Sequence, residues 1–142
     1  MVRRHNGLGK FPMSFSSLLA ISAVVAFISM ILYIIFGQVT VRKLRKNPAT
    51  KYALGIEFVS GWDIINVAGA LALPKTIVQK IKRNSISMGL GQGFEANPDL
   101  LYKHTTRFDR LLARLFYWSW ASSGVGLIAL TLAYFLFGLG QN

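Results

Sequence analysis

Two stretches of this chain carry no charged residue, Phe11–Val41 and Leu115–Gly138. Each is long enough, as a helix rising 1.5 Å per residue, to cross the roughly 30 Å of hydrocarbon in a bilayer. Within the first, Phe15–Phe36 is continuously apolar or small enough for a spanning helix, and the whole segment 13–40 reads as transmembrane helix 1. A secretory signal peptide also starts with basic residues, but its apolar core is shorter and a small-x-small cleavage site follows. Ile34-Ile35-Phe36-Gly37-Gln38-Val39 offers no convincing one. The expectation is an uncleaved span. Composition agrees: 53% of the residues are hydrophobic and only 15% charged, against a usual quarter.

Charge then orients the spans. The formal net charge is +11. In a soluble protein that balance would suggest nucleic acid; here topology and anionic headgroups come first. Arg3, Arg4 and Lys10 lie in the amino-terminal tail, residues 1–12, and every other lysine and arginine lies between Arg42 and Arg114, with all five acids. Basic residues near span ends favour the cytoplasmic side. The loop is therefore expected in the cytoplasm and both termini outside, in an inner or plasma membrane. There is no cysteine, which removes disulfides, thiolate metal sites and a cysteine nucleophile.

The loop, residues 41–97, is not polar filler. Arg42-Lys43-Leu44-Arg45-Lys46 is stopped by Asn47-Pro48. Phe58–Leu73 reads as a helix with Phe58, Trp62, Ile65 and Leu73 on one face and Gly69 in its middle. Ile64, Val67 and Leu71 make a second apolar face, leaving only Asp63 and Asn66 as a polar strip. A helix so apolar is normally buried. It is too short to span, so an interfacial, re-entrant or protein-packed segment is expected, with Asp63 paired to a loop arginine or capping the helix. Thr76–Arg83 reads as a basic amphipathic helix. Leu73, Ile77 and Ile81 continue one apolar line, and Lys75, Lys80, Lys82 and Arg83 reach for headgroups. Asn84–Asn97, with Gly89, Gly91 and Gly93, reads as a linker. It is not a phosphate loop, because no strand precedes it and no helix opens directly from it.

Asn97–Gly138 reads as one long helix, residues 98–142 forming the last segment. Asn97 suits the N-cap, Pro98 the first turn and Asp99 the positive end of the dipole, one turn from Lys103. Lys103, Arg107, Arg110 and Arg114 recur at steps of three and four and form a basic ridge. Leu101, Phe108, Leu112 and Leu115 take the other side, facing the Trp62 helix. Phe116, Tyr117, Trp118 and Trp120 form an aromatic belt where the helix enters lipid. Ser122 and Gly126 make a small-xxx-small step that admits another helix.

These residues point to binding, not to chemistry. His5 and His104 fall on opposite sides of the membrane and cannot share a metal. No serine has a matching histidine and acid, no carboxylates pair for acid–base work, and no acid lies within either span to relay protons. The expectation is an all-α integral membrane protein: two transmembrane helices joined by a largely helical, membrane-associated basic cytoplasmic loop. It needs no cofactor and no metal, and nucleic acid is disfavoured. Its function is read as that of a non-enzymatic accessory subunit of a larger membrane complex. The expected partners are anionic lipid headgroups and other membrane subunits or copies of itself. Two alternatives stand beside it, an anionic-lipid-binding or membrane-shaping protein and a subunit of an oligomeric channel. Lys75, Lys80, Lys82, Arg83, Lys103, Arg107, Arg110 and Arg114 are the candidate lipid or partner contacts, and Trp62, Gly69, Ser122 and Gly126 the candidate helix-packing positions.

Overall fold

The computed structural model describes residues 14–55, 61–87 and 96–138. All regular structure among them is helical. Helix α1, Phe15–Phe36, starts where the Ser14 hydroxyl accepts the Ser17 backbone N–H. It runs without a stop through a π turn, Gly37–Val41, into α2, Arg42–Lys46. A 3-10 turn at Lys51–Ala53 follows, then α3 (Trp62–Ala72), α4 (Lys75–Ser87), α5 (Pro98–His104) and α6 (Arg107–Phe137).

Helices α1 and α6 pack along their lengths, antiparallel. Phe15 meets Tyr134 with ring centroids 6.1 Å apart, and at the other end Tyr33 and Phe36 meet Phe116 at 5.8 and 5.9 Å. Between these aromatic ends the contact is made by small residues. A Cβ on Gly126 would stand 3.0 Å from the Ser22 hydroxyl, so glycine is what lets the backbones approach. Ser29 and Ser123 are buried nearby, each returning its hydroxyl hydrogen to its own helix, at Val25 and Trp120 carbonyls.

Helix α3 lies against α6 and the π turn. The extra residue of a π turn shifts the helix face it interrupts. Here it presents Gly37 to α3, where a Cβ would come within 2.8 Å of Ile64 Cδ1. Ile64, Val67, Ala68 and Leu71 join Phe36, Val41, Leu44, Leu112 and Phe116 in one core at this end of the helix pair. α3 can turn into this place because Gly61 takes the left-handed conformation, φ 91°, that a side chain resists.

The long helix expected over Asn97–Gly138 is two helices. Thr105 and Thr106 are both extended, and Thr106 opens α6 with a reciprocal cap. Its hydroxyl accepts the Asp109 N–H at 3.2 Å, and the Asp109 carboxylate accepts the Thr106 N–H at 2.8 Å. The break resets the helical phase. Asp109, Leu112, Ala113 and Phe116 become the buried face of α6, while Phe108 and Leu115 are exposed. Phe116 thus belongs to the core and not to an aromatic belt; Trp118 and Trp120 remain exposed. The Trp62 face of α3 is likewise corrected: Trp62 stands at the first turn and is exposed, and the second apolar face does the packing. The apolar line through Pro74 is interrupted, since Leu73 is extended and α4 buries Val78 while exposing Ile77 and Ile81. α4 also continues through Ser87, so Asn84–Ser87 is helix and not linker. Phe58 and the glycine run 89–93 lie outside the described residues.

Candidate functional site

The polar chemistry of the chain gathers where α2 meets α3 and α6. Two carboxylates are buried there, Asp63 on α3 and Asp109 on α6, each 3% exposed. Both are held by residues of the helix that continues from α1. Arg45 donates from Nε and Nη2 to the two oxygens of Asp63, at 2.7 and 2.6 Å. This two-point fork fixes α3 in angle as well as position. Asp109 accepts the Thr40 hydroxyl at 2.8 Å and the Thr106 hydroxyl at 2.8 Å, and Lys43 Nζ stands 3.5 Å away. Thr40 is fully buried, presented to α6 by the π turn.

Asp109 lies outside the uncharged stretch of α6, and its charge state follows from these contacts. Burial alone would raise its pKa. The Thr106 backbone N–H, the Thr40 and Thr106 hydroxyls and the Lys43 charge outweigh that, and hold the carboxyl below its usual range. These contacts favour the charged carboxylate. The junction is built to position helices.

The sequence-derived cations do not form one ridge, because the break at Thr105–Thr106 separates Lys103 on α5 from Arg107, Arg110 and Arg114 on α6. Arg110 and Lys75 instead share the Tyr102 ring, at 5.1 and 5.4 Å from its centroid. The Tyr102 hydroxyl donates to the Leu71 carbonyl at 3.3 Å, and Lys75 Nζ lies 2.7 Å from Asp99. These two cations thus tie α4, α5 and α6 together. Lys80, Arg83, Lys103, Arg107 and Arg114 are exposed; the Lys82 side chain is outside the described set. His104 Nδ1 sits 3.3 Å from the Asn47 amide nitrogen, joining α5 to the end of α2.

Of the expected packing positions, Gly126 faces Ser22 of α1, and Gly69 faces Tyr117 of α6, where an added Cβ would lie 3.4 Å from the ring. Ser122 is exposed and donates to the Ser119 carbonyl, so the buried small residue beside Gly126 is Ser123. Sequence reasoning missed Thr40 and Lys43 as partners of Asp109, and left unnamed the arginine, Arg45, that pairs with Asp63. The one local signal was Thr106-Phe108-Asp109 spacing, a cap written across the middle of an apparent helix.

Two open cavities flank the α1–α6 contact. One, about 580 Å³, is almost wholly apolar and runs between the middle of α1 and α6 past Ser29, Met30, Ser123, Gly124 and Leu127. The other, about 510 Å³, lies at the π turn and is bordered by Gln38, Arg42 and Arg45. Compared with protein-family models, curated proteins and solved structures, the chain matches none.

Proposed function

We propose that this chain is an integral membrane protein whose two spans form a hairpin, and that it serves as a non-enzymatic accessory subunit of a larger membrane assembly. In this reading α1 and the uncharged part of α6 cross the bilayer. The elements from α2 to α5 form a helical cap on the cytoplasmic face, and both termini lie outside.

One observation carries the membrane reading. Two helices, Phe15–Lys46 and Arg107–Phe137, are long and apolar enough to span, and only 6% of the most apolar window of each is buried within the fold. The core helix of a soluble domain would be mostly covered. Phe27, Met30, Ile34, Val125, Ile128 and Phe135 are instead all exposed, a far larger apolar surface than a soluble monomer carries. The clustering of basic residues at the α2 end supports the cytoplasmic cap. What supports a subunit role is apolar surface on the cap itself. Trp62, Ile77 and Ile81 remain exposed there, and a cleft of about 250 Å³ opens between α3, α4 and α6 beside Tyr117 and Trp120. In this reading the junction of Asp63 and Asp109 with Arg45, Thr40 and Lys43 serves to position helices.

The test has two arms. Carbonate washing of membranes should leave the chain in the pellet, and release into the supernatant contradicts the spans. Purification in mild detergent should bring a second component or yield a defined oligomer, and a lone monomer at its own mass contradicts the subunit role.

A further inference from the structure

The two cavities beside the helix pair meet at shared walls. Tyr33 and Ile34 line both, so an apolar cavity and a polar one adjoin along α1 and together make an amphipathic groove. Its apolar part is lined by Ser29, Ser123 and Gly124, where α1 and α6 pack. Its far end reaches Gln38 and Arg42, just past the uncharged stretch. Arg42 Nη1 donates to Gln38 Oε1 at 3.4 Å, one helical turn back, which leans the guanidinium over the groove. Lys43 and Arg45 each stand within ion-pair distance of a buried carboxylate, whereas Arg42 has no carboxylate partner among the described residues.

From this arrangement we propose that the groove is a binding site for a single anionic phospholipid, one acyl chain lying along Met30, Tyr33 and Gly124 and the phosphate at Arg42. The inference rests on the membrane reading above but not on the subunit role. Charge complementarity selects the occupant. An apolar trough that ends at a guanidinium matches a molecule with a long hydrocarbon chain and an anionic head. A partner's transmembrane helix would fill the trough but leave the arginine unmatched at its mouth. Arginine also forks onto phosphate oxygens in a way that a lysine does not. The site is distinct from the exposed cations of α4, α5 and α6, none of which lines either of these two cavities.

The full chain, reconstituted in nanodiscs of equal parts phosphatidylglycerol and phosphatidylcholine and released into native mass spectrometry, tests this. Wild type should keep one lipid per chain, with phosphatidylglycerol preferred. Arg42→Gln should keep a lipid but lose about fivefold in that preference, the worth of one cation near an anionic surface. Gly124→Leu provides an independent variant. A Cβ at Gly124 meets nothing within 4 Å, so the hairpin tolerates the side chain while the trough does not. It should lower retention of both lipids. Arg114→Gln, away from the groove, should match wild type. Equal retention of the two lipids by wild type overturns the proposal, as does an unchanged preference in Arg42→Gln. A lipid-free species carrying a second protein chain also overturns it, since a helix then occupies the seam. Because the chain must first survive the carbonate wash, failure here with a membrane-integral protein removes the lipid site and leaves the membrane reading standing.

Discussion

Helices α1 and α6 are joined by different chemistry at their two ends. Toward the chain termini the contact among the described residues is Phe15 on Tyr134 and Ser22 against Gly126, within stretches that carry no charged residue. Toward the cap the same pair is joined by Thr40 and Lys43 on Asp109, and α3 is added by Arg45 on Asp63. In the bilayer proposed above, apolar side chains would gain little by leaving lipid for one another, so close approach of small residues would hold the first end. At the second end, few directional bonds choose which residues meet. Away from the close approach at Gly126, the first end should tolerate apolar substitution, whereas the second should not tolerate losing a partner.

The sharpest way to break this contrast is at Asp109. Asp109→Ala removes the acceptor of Thr40, of the α6 cap and of Lys43. It should destabilise the fold by about 3 kcal/mol, read from thermal unfolding in detergent. An apolar exchange such as Ile128→Leu on the outer face of α6 should leave the midpoint unchanged, and equal losses for the two would erase the distinction. Gly61→Ala comes next. At φ 91° an alanine costs about 1–2 kcal/mol, and its Cβ collides with the Tyr33 hydroxyl, so α3 should loosen from the core. Hydrogen exchange at Ile64–Leu71 should rise while the middle of α1 stays protected.

Acidification probes the same end more gently. Because the folded pKa of Asp109 is depressed, its contribution is complete above the ordinary carboxylate pKa and is lost as pH falls through the lower, folded value. The thermal midpoint of wild type should drop across that acidic window by more than that of Asp109→Asn. Superposable pH profiles would show that Asp109 carries no such linkage. The smallest effect is expected at Arg107 and Arg114, both exposed. Either residue changed to glutamine should shift stability by less than about 0.5 kcal/mol.

The contrast also explains what was legible in the sequence. Helix α1 is legible because residues 11–41 carry no charge and a basic cluster follows, although the helix runs on through the π turn to Lys46. The basic α4 and the N-cap at Asn97 were legible for the same local reasons. The break at Thr105–Thr106 was hidden because charged residues happen to keep helical spacing across it, although the Thr106 and Asp109 cap was present in the letters. Most of the junction is not legible in the sequence. Thr40 and Asp109 lie 69 residues apart, and Arg45 and Asp63 lie 18 apart across a turn. No periodicity links them; only the π turn and the antiparallel register bring them together. Asp63 was expected to find a loop arginine, and the structure identifies it as Arg45.

That register is the central claim, and one measurement reaches it directly. The chain has no cysteine, so Ser22→Cys combined with Gly126→Cys introduces the only two thiols. A Cβ at position 126 lies 3.8 Å from that of Ser22, close to the mean separation of about 3.8 Å in disulfides. Oxidation in carbonate-washed membranes should give a disulfide within single chains, seen as a reductant-sensitive mobility shift without a dimer band. No bond, or bonds formed only between chains, would contradict the antiparallel hairpin.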